Sequence, residues 1–167
     1  LYSKIRNPAN LISFLESLAL KIDSKIEFHF YGNNNAHISS LNTKNFSVHI
    51  HGRVSRTRAL NAISKSDFLV NIGNSNHYQL PSKLIEYLAS GKPILNISSI
   101  TNDSSTKLLE GYERVFNLEA NNLSDLEQLE KFVHFMNRDS SSFFNNPLED
   151  IKEFQVSSIT GLYEDLF

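Results

Sequence analysis

The chain has 167 residues, with 16 Lys+Arg against 18 Asp+Glu and a net charge of -2. That length suits one domain able to bury its own core, and a hydrophobic content of 40% excludes a disordered chain. The absence of Cys excludes disulfides, zinc–thiolate sites and thiol nucleophiles, no run approaches the roughly 18 apolar residues of a membrane helix, and the near-neutral balance speaks against nucleic acid as the main partner.

The chain opens Leu1-Tyr2-Ser3 without an initiator Met or a signal peptide, so it reads as a piece of something longer. Asn7 is placed to cap a first helix and Pro8 to occupy its first position, where a missing N–H costs nothing. Leu11, Ile12, Leu15, Leu18, Ala19 and Ile22 then share one face at helical spacing. Residues 26–31 form a strand that stops at Gly32, and residues 33–45 are polar, with at most a short helix around Ile38 and Leu41. Residues 46–51 form a second strand, ended by Gly52. Ser55 caps the next helix, whose buried face would hold Ala59, Leu60 and Ile63.

Residues 67–72 give a third strand, stopped by Gly73. After a polar loop, Pro81 opens a helix over residues 82–90, and Gly91 suits its left-handed cap. Strands are expected at 93–97 and 114–118, with a short helix at 105–112 between them. Ser124 and Glu127 form a capping-box pattern ahead of Leu126, Leu129, Phe132, Val133 and Met136. A Ser- and Asn-rich linker over 137–146 leads to a last helical region over 147–167.

Short apolar strands alternating with helices predict an α/β fold, a doubly wound parallel sheet of the Rossmann-like kind covered on both faces. Ligands in such sheets sit beyond the C-terminal strand ends, which directs attention to residues 73–95. There a polar loop feeds a helix start: the N–H groups of Ser82 and Lys83, the helix dipole and the Lys83 ammonium together suit an anion. Glu86, about one turn on, suits the vicinal hydroxyls of a ribose. A diphosphate beside a ribose is a nucleotide. The same residues also suit a solvated helix face, and spacing alone leaves both readings open.

The run Leu80-Pro81-Ser82-Lys83-Leu84-Ile85-Glu86-Tyr87-Leu88-Ala89-Ser90-Gly91-Lys92-Pro93-Ile94 resembles the donor-site segment of GT-B glycosyltransferases of the group 1/group 4 type. Ile5-Arg6-Asn7-Pro8 opening a helix, Phe30-Tyr31-Gly32, Val48-His49-Ile50-His51-Gly52-Arg53-Val54 and residues 62–70 follow in the family's order. The likeness spans residues 1–118 and, weakly, the C-terminal helix. It implies the C-terminal, donor-binding half of an enzyme that moves a sugar from a nucleoside-diphosphate sugar to an acceptor hydroxyl in cell-surface glycan or polysaccharide synthesis.

Carried over position by position, the resemblance assigns the ribose to Glu86 and the donor diphosphate to Arg6, Ser82 and Lys83. Gly52, Arg53 and Val54 fall at the turn beside the base, and Asn74, His77 and Tyr78 in the loop facing the donor sugar. Retaining members carry a second Glu eight positions before the ribose Glu, where this chain has Tyr78; retention or inversion therefore stays open. No residue here is named as the catalytic base. That role and the acceptor site, for a sugar or a lipid-linked acceptor, fall to an N-terminal domain outside this chain.

The resemblance further implies a hexosyltransferase-type reaction without a metal or other cofactor. The nucleotide sugar is substrate, the compartment cytoplasmic, and the parent a candidate for peripheral association with the inner membrane face. In the family's strand order, 3-2-1-4-5-6, the strands visible here are the second to the sixth. The central first strand, with its glycine-bearing loop, is expected upstream of Leu1. Two other readings stay open: a non-catalytic nucleotide-sugar-binding domain of a polysaccharide assembly complex, and a nucleotide-sugar epimerase on the same fold.

Outside this segment the signals are sparse. His49 and His51 share a strand face at the spacing of a metal pair, but no acidic residue or third His stands at a convincing spacing, so no metal site is expected. Arg53, Arg56 and Arg58 form a small basic cluster that suits either the donor or water.

Overall fold

The computed structural model describes residues 9–32, 43–74, 76–79 and 81–138. In chain order these form α1 (Ala9–Ala19), β1 (Glu27–Tyr31), β2 (Ser47–Gly52), α2 (Arg56–Lys65), β3 (Leu69–Ile72) and α3 (Lys83–Ser90). They continue as β4 (Ile94–Ser98), α4 (Ser104–Leu108), β5 (Val115–Glu119), a 3-10 turn at Ala120–Asn122 and α5 (Leu126–Met136). All five strands lie within two residues of their expected positions. The expected cap at Asn7 and Pro8, the short helix around Ile38 and Leu41 and the helical region over 147–167 lie outside the described residues.

Every strand pairing among the described residues is parallel. β4 is central between β3 and β5, and each of its residues is buried, because helices cover both of its faces. Leu95 and Ile97 point into one core with Leu11, Phe14, Leu15 and Leu18 of α1 and Leu129, Phe132 and Phe135 of α5. Ile94 points the other way, packing with Leu69, with Leu84 and Leu88 of α3 and with Leu109 and Tyr112 after α4. The period of two along β4 is what lets one strand serve two cores. The fold is thus α/β, with parallel strands in open sheets.

The sheet is in two pieces among the described residues. β1 pairs with β2, and β3 pairs with β4, but β1 and β3 do not pair with each other. Both pieces contribute to the core under α1: Phe28 and Val48 come from the first, Val70 and Ile72 from the second.

A polar ladder crosses the three-stranded piece. Asn71, Asn96 and Asn117 stand opposite one another in register. Asn71 Nδ2 donates to Asn96 Oδ1 at 2.7 Å, and Asn96 Nδ2 donates to Asn117 Oδ1 at 2.8 Å. Asn96 is fully buried, so a slip of one residue would strand its amide among apolar side chains.

Several local expectations are corrected. Asp125, not Ser124, caps α5, accepting from the Glu127 N–H at 2.9 Å, and Leu126 is 66% exposed instead of buried. The helix cap expected from Ser55 forms, its hydroxyl accepting from the Arg58 N–H. Yet α2 buries none of its residues, and Leu60 is exposed. The helix expected over 105–112 is only α4, capped by Asp103. Among the described residues no helix is long and apolar enough to cross a membrane.

Candidate functional site

α3 begins where Pro81 turns the chain, its carbonyl accepting from the Leu84 N–H at 2.9 Å. Leu84 and Leu88, one turn apart, are completely buried and fix the helix against β3 and β4. Gly91 ends it at φ +66, the left-handed region that glycine tolerates without strain. With that face held, Lys83 and Glu86 become neighbours at i, i+3. Lys83 Nζ stands 3.2 Å from Glu86 Oε1 and 3.1 Å from Oε2. The Lys83 side chain is 63% exposed and that of Glu86 24%: an exposed ammonium paired with a more sheltered carboxylate. Ser82 has helical backbone angles and makes no side-chain capping bond.

The loop after β3 is tied to itself and to the loop after β4. Asn74, almost completely buried, donates through Nδ2 to the Gln79 carbonyl. Asn76 Oδ1 accepts from the Tyr78 and Gln79 N–H groups. His77 Nδ1 lies 3.2 Å from the Asn102 carbonyl, and Ser104 Oγ donates to the Gln79 carbonyl at 2.9 Å. Of the three residues expected to face a donor sugar, Asn74 and His77 thus hold the loop's shape. Tyr78 is 95% exposed.

Asp103 was not singled out by sequence reasoning. It is fully buried; Oδ1 accepts from the Ser105 N–H at 2.7 Å, while Oδ2 finds no hydrogen-bond partner among the described residues. Its carboxyl lies against Gly73, where an added Cβ would come within 2.5 Å of Oδ2, 2.8 Å of Cγ and 2.9 Å of Oδ1. Gly73 therefore serves close approach between the two loops. Gly73→Ala should cost about 1–3 kcal/mol of stability, the usual range for forcing a methyl into a filled site. Chemical denaturation checks this, and a change below ~0.5 kcal/mol would show that Asp103 moves aside freely.

Gly52, Arg53 and Val54 form a separate turn at the end of β2. Gly52 has φ +67, and its carbonyl accepts from the Gly32 N–H at 2.9 Å, joining the ends of β1 and β2. Arg6 lies outside the described residues.

One face of β1 and β2 carries an arrangement that spacing did not show. Glu27, His29 and Tyr31 alternate with Phe28 and Phe30, and His49 and His51 stand beside them on β2. The rings stack in sequence: Tyr31 on His51 at 4.4 Å, His51 on His29 at 5.2 Å and His29 on His49 at 4.6 Å between centroids. A register shift between Phe30 and Tyr31 brings Tyr31 opposite Gly52. Burial, then the neighbouring His29, Arg58 and His49, holds the His51 pKa below the usual imidazole value. Lys25, which donates to Glu27, holds the Glu27 carboxyl below its usual value.

Parallel strands between helices, with a polar loop and a cation-bearing helix start at the C-terminal end of β3, define a Rossmann-like α/β domain. Comparison with known families narrows that class: the model of the glycosyl transferase-like family matches residues 6–142, and the chain belongs to that family. The match contains the entire loop and α3. No curated protein and no solved structure matches the chain.

Proposed function

We propose that this domain binds the donor of a hexosyl transfer, a nucleoside-diphosphate sugar, and holds it for attack by an acceptor hydroxyl in glycan or polysaccharide synthesis. The observation that carries the reading is the Lys83–Glu86 pair at the start of α3, inside the family match. In the reading, a ribose diol donates to Glu86 and displaces Lys83. The exposed ammonium then swings to the diphosphate beside Ser82 and the helix N-terminus. As the anomeric bond breaks, negative charge grows on the departing diphosphate, where Lys83, the helix start and Arg6 stabilise it. The transfer step itself needs no metal in this scheme. Gly52, Arg53 and Val54 take the base side, and Tyr78 the sugar side.

A second reading, a domain that binds the nucleotide sugar without turning it over, is favoured by Tyr78. The described loop residues from Gly73 to Gln79 carry no acidic side chain, and Tyr78 is free at the surface. Product analysis with the parent protein separates the two. Release of nucleoside diphosphate from a nucleotide sugar with the sugar joined to an added acceptor supports transfer; saturable binding without release supports the second reading.

The proposal extends to the sheet. β1 and β3 each have one strand neighbour among the described residues, and a strand of the parent protein between them would complete one continuous sheet. An acceptor-binding domain would stand before that strand. A chain carrying native residues upstream of Leu1 should show protected amides along both edges in hydrogen exchange. Unchanged exchange along β1 and β3 would contradict the extension.

A further inference from the structure

We propose that the exposed face of β1 and β2 is a binding site for a divalent transition metal of the zinc type, with Glu27, His29 and His49 as ligands and His51 as the residue that orients His29. The inference is independent of the donor site.

Three observations carry it. First, one ligand atom from each of Glu27, His29 and His49 lies within 4.8 Å of the others. His29 and His49 are direct cross-strand partners in the parallel register, so their positions rest on backbone pairing. Glu27 precedes His29 by two residues and shares its face. Second, the donor atoms are free for the purpose. His49 Nε2 is shielded from water and has no hydrogen-bond partner among the described residues. His29 Nε2 faces Glu27 Oε2 at 3.6 Å, while Lys25 occupies only the other oxygen, Oε1. Two ligands bound at ~2.0–2.1 Å in tetrahedral geometry stand roughly 3.3 Å apart. The Glu27–His29 pair is already close to that spacing, and the His49 ligand atom lies within 4.8 Å of both.

Third, the remaining nitrogen of His29 is engaged as a metal-bound imidazole requires. His29 Nδ1 lies 2.9 Å from His51 Nε2. With the proton on His29 Nδ1, His51 accepts it and leaves His29 Nε2 with its lone pair toward Glu27. That is the outer hydrogen bond that usually fixes the tautomer of a ligating histidine. Two imidazoles and a carboxylate favour Zn²⁺, Ni²⁺ or Cu²⁺ over Mg²⁺ and Ca²⁺, which take mainly oxygen ligands. Three protein ligands leave a fourth position for water or for a group from a bound molecule. A metal there would also clip β1 to β2.

The test is calorimetric titration of the untagged, chelator-treated chain with ZnCl₂, with MgCl₂ as the control, and with Co²⁺ absorption as a read-out of coordination. One zinc per chain is expected, with intense visible bands for Co²⁺ and no saturable Mg²⁺ binding. His49→Ala or His29→Ala should weaken zinc at least ~10-fold, and His51→Gln about 10-fold through loss of the orienting bond. His77→Ala and His134→Ala should leave binding unchanged. If a histidine variant does not fold, Glu27→Gln, at an exposed position, serves in its place, with the same loss expected. Zinc affinity unchanged in these ligand variants, stoichiometry of one zinc per two chains, or no binding beyond the Mg²⁺ level would overturn the proposal.

Discussion

Replacing Glu86 by Ala is expected to weaken nucleoside-diphosphate binding by about 10- to 100-fold, the range for removing a charged hydrogen-bond acceptor. The expectation follows from the asymmetry of the pair. The Glu86 side chain is 24% exposed and sits on a helix fixed by Leu84 and Leu88, whereas Lys83 is 63% exposed. An exposed ion pair is worth little in water, so a ligand that offers Glu86 two hydroxyl donors and Lys83 a diphosphate exchanges a weak interaction for two stronger ones. Lys83→Met should reduce affinity for the diphosphate while leaving that for the bare nucleoside almost unchanged. Because the two residues contact one another, their combined effect should not be additive. Calorimetry on the single and double variants checks all three statements. Equal losses for nucleoside and diphosphate on Lys83→Met would remove Lys83 from the phosphate site.

The second large effect is on stability. Asn96→Leu is expected to destabilise the domain by about 2–4 kcal/mol, because the buried Asn71 amide then loses its acceptor and a larger apolar group enters a filled layer. At this size that corresponds to a fall in Tm of roughly 5–15 °C. Asn117 is exposed, and the buried Asn96 Nδ2 keeps a second acceptor in Thr106 Oγ1 at 3.2 Å, so Asn117→Leu should cost less, about 1–2 kcal/mol. The contrast between two substitutions in one ladder is the informative part. A cost for Asn96→Leu as small as that for Asn117→Leu would mean that solvent reaches Asn96, and that the ladder does not fix the register of β3, β4 and β5.

The strands were legible because each is a short apolar run closed by a glycine or framed by a helix signal. Helix α3 was legible at both ends from Pro81 and Gly91. Periodicity shows which face of a helix is apolar but not whether anything covers it. Leu60 on α2 and Leu126 on α5 are exposed for that reason, the second after a one-residue shift of the cap from Ser124 to Asp125.

The site was legible only in part. Glu86 and Lys83 stand out because they are close in sequence. Their ion pair is a contact across i, i+3, and a reading by role alone assigned them separate ligand groups. Asp103 gave no signal: a lone Asp after Asn102 is an ordinary turn residue, and its burial arises only when the loop after β4 closes on Gly73. The same holds for the histidine face. His49 and His51 were visible as a pair, but Glu27 and His29 reach them through cross-strand register, 22 residues away in sequence for the His29–His51 contact.

The most direct measurement of the central claim is a binding cycle between protein and ligand: a nucleoside diphosphate and its 2′,3′-dideoxy analogue, each titrated into the native protein and into Glu86→Ala. If Glu86 holds the ribose, loss of the diol should cost the native protein about as much as Glu86→Ala does, and should cost the variant almost nothing. If the dideoxy ligand binds the native protein as tightly as the ribose form, or the two losses simply add, Glu86 does not contact the ribose and the donor-site assignment is wrong.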